Sequence, residues 1–361
     1  MNVLSLFDGM SCGQIALNRI GKTPTKYYAA EIDKYAIKVT QANYPDTIQL
    51  GSVLDWQSWD IDWASIDLIT GGFPCQAWSV AGKQQGDKDE RGMLFWTMLD
   101  IMKTVMAHNS NAYFLIENVK MKKDFEQYIT YHTEQALGVV HKHLINSALV
   151  SAQNRNRYYW TNIDGVTQPE DKGLVLRDVL EDADTDREKS YYLDANYHKG
   201  ASVEQYESKC RRQLVMVGHA SDIKGHDANK RVYSADGLAP TLTTMGGGHR
   251  EPKVAIRTKS KCVCSSGLGS YDRHEWDSIS DCHYRKLTPL ECERLQTVPD
   301  NYTNHVSNTQ RYKMIGNGWT VDVIAHILSF IKPVKRKAVK VKRNHRQLDL
   351  FANNYRYGAA A

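Results

Sequence analysis

The chain has 361 residues, 42% hydrophobic and 24% charged, with a mean hydropathy of −0.52, which is ordinary globular composition for one large domain or two smaller ones. No stretch approaches the roughly 18 apolar residues of a membrane helix, Asp8 interrupts the run a signal peptide would need, and seven cysteines imply no disulfide framework, so a reducing cytoplasm is expected. Net charge is +5 overall, yet from Lys332 onward nine basic residues face one acid, Asp349, leaving the body at −3; such an arm either solubilises or contacts nucleic acid.

The first 160 residues read as alternating strands and helices. Asn2 to Phe7 is a short apolar run ending at Asp8-Gly9, followed by a helical pattern through Ile15, Leu17 and Ile20. Tyr27 to Ile32 is a second strand, and a helix is expected from Lys34 to Ala42. Ile66–Thr70 and Ala112–Ile116 read as buried strands with a helix from Leu94 to Met106 between them. Apolar strands alternating with helices predict a parallel sheet covered on both faces, of the α/β class.

From about 166 to 284 helical periodicity fades and short strand-like runs alternate with Gly-rich turns such as Gly246-Gly247-Gly248. A smaller, irregular, strand-rich inserted domain is expected there. Helical patterning returns at Thr288–Leu295, where Thr at the N-cap, Pro at N1 and Glu291 at N3 make a helix start. A last helix is expected from Thr320 to Ile331, followed by a basic, disordered tail over 332–361.

Several strand ends carry chemistry. Phe7-Asp8-Gly9-Met10-Ser11-Cys12-Gly13 joins the first strand to its helix, and Glu31 ends the second strand, where an acid commonly takes a ribose hydroxyl. The third strand ends in Gly71-Gly72-Phe73-Pro74-Cys75-Gln76-Ala77-Trp78-Ser79, with Cys75 placed for a nucleophile or for packing. The next delivers Glu117-Asn118-Val119, an acid facing the same crevice or an ordinary strand-end carboxylate. Gln153-Asn154-Arg155-Asn156-Arg157 sets two arginines at i and i+2 on one side of an extended segment, for an anion or for solvent.

Taken together, Phe-x-Gly, Gly-Phe-Pro-Cys-Gln, Glu-Asn-Val, Gln-x-Arg-x-Arg, Arg285 to Cys292 and Ile315-Gly316-Asn317-Gly318 resemble the motif set of the DNA cytosine-5 methyltransferases. The resemblance covers about 1–165 and 285–330. It implies a doubly wound, Rossmann-like, mostly parallel sheet with one antiparallel strand, a catalytic domain assembled from 1–165 and 285–331, and a target-recognition domain over 166–284. It implies S-adenosyl-L-methionine as cofactor and methyl transfer to C5 of a flipped-out cytosine in double-stranded DNA, in the setting of restriction-modification. Cys75 is then the nucleophile on C6, Glu117 the acid gripping the amine and N3 side of the base, and Arg155 and Arg157 the positive field. Phe7, Gly9, Gly13, Glu31, Pro74, Asn317 and Trp319 would hold the cofactor. Gln76 and Ser79, in a mobile loop from Pro74 to Met93, and Thr241-Leu242 in the insert would meet DNA.

The chain departs from the common pattern at Ser11-Cys12, at Gly51-Ser52, where Asp55 follows three residues later, and at Gly318-Trp319, where Trp319 is expected to cover the cofactor. A tRNA cytosine methyltransferase resembles the same family, but the insert of roughly 120 residues is long for that branch; a non-catalytic DNA-binding module is opposed by the intact Cys75, Glu117 and Arg157. Cys262, Cys264, Cys282 and His283 match no standard zinc spacing, so no metal is expected. After the basic arm, Gln347-Leu348-Asp349-Leu350-Phe351 resembles the peptide by which bacterial proteins bind the replication sliding clamp; the alternatives are an apolar patch folding back on the enzyme, or chance. A monomer in the cytoplasm of a bacterial or phage-infected cell is expected.

Overall fold

The computed structural model describes residues 1–74, 90–181, 188–199, 206, 213–216, 232–234, 253–255 and 284–332. Residues Met1–Ile331 form one compact unit. Its centre is a seven-stranded sheet of β1 (Asn2–Leu6), β2 (Lys26–Ala30), β3 (Ile48–Gln49), β4 (Ile66–Gly71), β5 (Tyr113–Val119), β6 (His141–Asn146) and β7 (Asn156–Thr161), in the order β3-β2-β1-β4-β5-β7-β6. β7 runs antiparallel to both β5 and β6, and the other pairings are parallel.

The alternation of side chains along each strand builds a core on each face of this sheet. Val3, Tyr27, Ala29, Leu68 and Leu115 face one side, with α1 (Cys12–Arg19) and a helix close to the C-terminal end of the unit, Val321–Ser329. Leu4, Leu6, Tyr28, Ile69, Phe114 and Ile116 face the other, with Phe95, Met98 and Met102 of α3 (Glu90–His108). α2 (Lys34–Asn43) starts at Asp33, whose side chain accepts from the Tyr35 amide. α4 (Lys123–Leu137) packs against α3.

After the inserted region come α5 (Pro289–Leu295), α6 (Asn308–Asn317) and α7 (Val321–Ser329). α5 starts as its residues predict: Thr288 Oγ1 accepts from the Glu291 amide at 3.2 Å, and Glu291 Oε2 accepts from the Thr288 amide at 2.7 Å. α7 returns to α1. Val321, Val323, Ile324, Ile327 and Leu328 are fully buried, and Lys22 Nζ donates to the carbonyls of Leu328 and Ile331 at 3.1 and 2.8 Å, capping its end. A buried network ties α5 to α6: Arg311 lies 3.0 Å from Glu293, whose carboxylate also accepts from the amides of Asn301 and Thr303.

Several boundaries differ from expectation: the second strand ends at Ala30 rather than Ile32, and the last helix spans Val321–Ser329 rather than Thr320–Ile331. The strand expected over Ala112–Ile116 continues to Val119, because β7 pairs with it residue by residue out to Val119 opposite Arg157. The helix expected over Leu94–Met106 spans Glu90–His108. Within the inserted region, β8 (Leu214–Met216), β9 (Val232–Ser234), β10 (Lys253–Ala255) and β11 (Tyr284–Lys286) form a second sheet in the order β10-β9-β11-β8.

Candidate active site

Parallel strands all end on one side of the sheet, so the connections after β1, β2, β4 and β5 converge there. They enclose a cavity of about 500 Å³ whose walls include Phe7, Gly9, Glu31, Pro74, Glu117, Arg155, Arg157, Asn317 and Trp319.

The β1–α1 turn is conformationally demanding. Phe7, Gly9 and Ser11 have φ of 55°, 60° and 61°, the left-handed region that costs a residue with a Cβ roughly 1–2 kcal/mol. Side chains hold the turn in place. Tyr27 Oη donates to Asp8 Oδ1 at 2.7 Å, and the Ser11 hydroxyl donates to Asp8 Oδ2. Burial raises the Asp8 carboxyl to about 6 despite these donors, and Glu31 adds to the rise.

Glu31 follows β2 directly. Its carboxylate accepts three backbone N–H groups at 2.7 Å, from Gly9 on Oε2 and from Ile32 and Asp33 on Oε1. Its position over the turn is therefore set before any ligand arrives. Ile32 and Leu54, 77% and 63% exposed, line the same wall as Gly51 and Ser52. Exposed apolar side chains at a concave polar site suit a flat aromatic ligand. Asp55 is not part of this wall.

Glu117 lies in β5 opposite Tyr159, and Arg157 is two residues earlier in β7, opposite Val119. Arg157 Nε sits 3.1 Å from Glu117 Oε1. Burial raises the Glu117 carboxyl above its ordinary value, while Arg157, Arg155 and the Trp319 indole N–H oppose that rise. Its neighbour Asn118 donates from Nδ2 to the Phe73 carbonyl at 3.0 Å, fastening the end of β4 to the end of β5.

Both arginines reach the cavity wall, but they are held differently. Arg155 is buried and donates to the carbonyls of Leu193, Gly316 and Gly318 at 3.0, 3.2 and 2.9 Å. It joins the connection before β7 to the end of α6 and contributes charge from behind the wall. Gly316 must be glycine, since a Cβ there would lie 2.4 Å from the backbone of Asp194.

Gly13 is not on the cavity wall. It lies in α1, where a Cβ would meet Tyr27 Oη at 3.1 Å and the Trp319 ring at 3.6 Å, so it makes room for that ring. Cys12 is buried, and burial pushes its thiol up to about 12, which leaves it protonated and unreactive near neutrality. Cys75, Gln76, Ser79, Thr241, Leu242 and the segment Gln347 to Phe351 lie outside the described residues, as do Cys262, Cys264, Cys282 and His283. Among the described residues no group of acidic, His and Cys side chains is arranged for a metal ion, and no helix is long and apolar enough to cross a membrane.

Sequence reasoning gave no role to Asp8, Gly72 or the pair formed by Lys313 and Asp33 at 2.7 Å across the cavity mouth. Asp8 and Gly72 lie inside quoted motifs, so their position was the available signal. Lys313 and Asp33 are 280 residues apart, and nothing local announces their pairing.

Comparison with known proteins agrees with this architecture. The family described as C-5 cytosine-specific DNA methylase matches residues 1–333. The orphan methyltransferase M.SPBetaI of Bacillus phage SPbeta is 30% identical, aligned over 91% of this chain and 96% of its own. The type II methyltransferase M.HpaII of Haemophilus parainfluenzae is 29% identical, over 89% and 86%. Among solved structures, a triple mutant of DNMT2 from Spodoptera frugiperda superposes with a TM-score of 0.54 at 19% identity, over 91% of this chain and 98% of that one, a likeness of fold. The chain belongs to the C-5 cytosine-specific DNA methylase family and is a DNA cytosine-5-methyltransferase.

Proposed function

We propose that the enzyme methylates C5 of a flipped-out cytosine in a specific duplex sequence through a covalent Cys75 adduct, with S-adenosyl-L-methionine as donor. The observation that carries this reading is the Glu117–Arg157 pair opening into the same cavity as Phe7, Glu31 and Trp319. The residues fit the donor. Glu31 offers an oriented carboxylate to ribose hydroxyls, and Phe7, Ile32 and Leu54 offer apolar faces to adenine. Bound there, the donor supplies an electrophilic methyl group.

The remaining chemistry belongs to the chain. C5 of cytosine is a poor nucleophile until a thiolate adds to C6, so Cys75 attacks C6 and the ring electrons move toward N3. A Glu117 carboxyl raised by burial carries a proton to that position more readily than an exposed one. Arg157 orients the carboxyl and favours negative charge nearby. Once C5 is methylated, a base removes its proton, the C6–S bond breaks, and aromaticity returns with free Cys75. C5 and C6 lie within the base stack, so the base must leave it. The segment between Pro74 and the start of α3 at Glu90, carrying Gln76 and Ser79, closes over the site.

Residues 166–284 are assigned to target recognition, with Thr241-Leu242 beside the flipped base. From Ser190 to Tyr284 there are 13 basic and 11 acidic residues, so recognition rests on groove contacts more than on net charge. The tail from 332 adds nonspecific DNA affinity and offers Gln347 to Phe351 to a sliding clamp. The enzyme acts as a monomer in the cytoplasm. The deciding experiment is transfer of tritiated methyl from S-adenosyl-L-methionine to duplex DNA and to tRNA. Label in DNA alone supports the reading; label in tRNA alone, or DNA binding without transfer, overturns it.

A further inference from the structure

Trp319 occupies an unusual position between two chemistries. Its indole is only 9% exposed and lies in the wall of the cofactor cavity. One edge of the ring faces Gly13 at the start of α1, 3.6 Å from where a Cβ would stand. The other edge crosses Gly72 at the end of β4. A Cβ on Gly72 would lie 3.0 Å from Trp319 Nε1 and 3.3 Å from Glu117 Oε2, so the glycine leaves these two groups facing each other with no side chain between them. Trp319 is also among the groups that oppose the burial-driven rise of the Glu117 carboxyl, as a donor beside it would. Arg157 approaches the other oxygen, Oε1, at 3.1 Å. Glu117 thus has a neighbour on each side, a cation on β7 and the indole of the segment before α7.

We propose that Trp319 is a positioning residue that couples the cofactor cavity to the base-binding acid: a ligand in the cavity fixes the indole, and the fixed indole fixes the Glu117 carboxylate that receives the cytosine. This rests on the proposed roles of the cavity and of Glu117. The coupling follows from contact. One rigid ring touches the space of both reactants, so restricting it for one ligand lowers the ordering cost for the other. An aliphatic side chain at 319 could wall the cavity but could not donate to Glu117, because only the indole offers an N–H there.

The test is a binding measurement with the intact protein, independent of turnover. Affinity for a duplex carrying the target cytosine is measured with and without S-adenosylhomocysteine, and affinity for S-adenosylhomocysteine with and without that duplex. In the wild type each ligand is expected to tighten the other by the same factor, about tenfold. Trp319→Phe keeps an aromatic ring and loses the donor, and the factor, a ratio of affinities within one variant, should fall to about twofold or less whatever the change in affinity for S-adenosylhomocysteine alone. Glu117→Gln keeps the shape of the cavity wall but removes the charged acceptor and should also weaken the coupling, which covers the case where Trp319→Phe does not fold. Coupling that survives in both variants, or a wild type with no coupling, overturns the proposal. A wild type that shows coupling but transfers no methyl group would instead overturn the functional reading.

Discussion

Arg157 and Glu117 meet at 3.1 Å across two antiparallel strands, with the carboxylate two residues back along β5 from the position directly opposite the arginine. This offset aims the pair along the sheet toward the cavity. Glu117→Gln preserves shape but removes the acid. It is expected to lower kcat by about 10² or more, with smaller changes in KM, measured by single-turnover methyl transfer. Turnover within a fewfold of wild type would reduce Glu117 to a strand-end acid.

Cys75→Ser should abolish methylation and leave DNA binding largely intact, because a serine hydroxyl supplies almost no anion at neutral pH. In a target carrying 5-fluorocytosine the C5 substituent cannot leave, and the wild type should form an adduct that survives denaturing electrophoresis. Methylation of ordinary DNA without such an adduct would argue against the covalent step.

Glu31 accepts three N–H groups besides any ribose contact. Glu31→Ala is therefore expected to act twice, removing the ribose partner and loosening the turn at Gly9. Cofactor affinity should fall at least tenfold, a loss of about 1.4 kcal/mol or more, by calorimetry with S-adenosylhomocysteine. Unchanged affinity would remove Glu31 from the site.

Asp8 supplies a pH signature. Its ordinary value is 3.8 and the fold raises it to about 6, so the folded protein holds this proton more tightly than the unfolded chain. The resulting stabilisation is fully present below 3.8 and is lost as pH rises through 6. Asp8→Asn, which stays neutral, should remove that dependence. Relative to wild type it should gain on the order of 2 kcal/mol between pH 4 and pH 8, measured by urea unfolding. Parallel pH profiles for the two proteins would show that Asp8 does not titrate in this range.

A peptide spanning Arg346 to Asn354 should bind a bacterial sliding clamp with micromolar-order affinity, and Leu350→Ala with Phe351→Ala should lose it. Absence of binding at about 100 μM clamp would leave the tail as a DNA-contacting arm.

The sheet was legible because buried parallel strands are mostly apolar, as Ile66, Leu68 and Ile69 are in the third predicted strand despite the buried Asp67 and Thr70. The capping box at Thr288 was legible because its donors and acceptors are three residues apart. The extension of β5 to Val119 was not, since β7 imposes it from outside. α6 escaped notice because Arg311 is buried in it, paired with Glu293, and a buried cation breaks the expected apolar stripe. In the candidate site, motif order placed Glu31, Glu117 and Trp319 around one crevice. The structure added what spacing cannot supply: Gly13 serving the packing of a ring, and Arg155 spending its donors on three carbonyls.

The return of α7 to α1 has a consequence for how the enzyme comes into being. The cavity draws one wall from residues 7–31 and the opposite wall from 313–319, so a nascent chain carries every strand of the main sheet long before it can enclose a ligand. Catalytic competence therefore waits until residues 313–319 have been made and Trp319 has reached Gly13 and Gly72. Two fragments divided within the inserted region would each lack part of the cavity wall, the second fragment most of it, and restoring the pocket would require them to find one another.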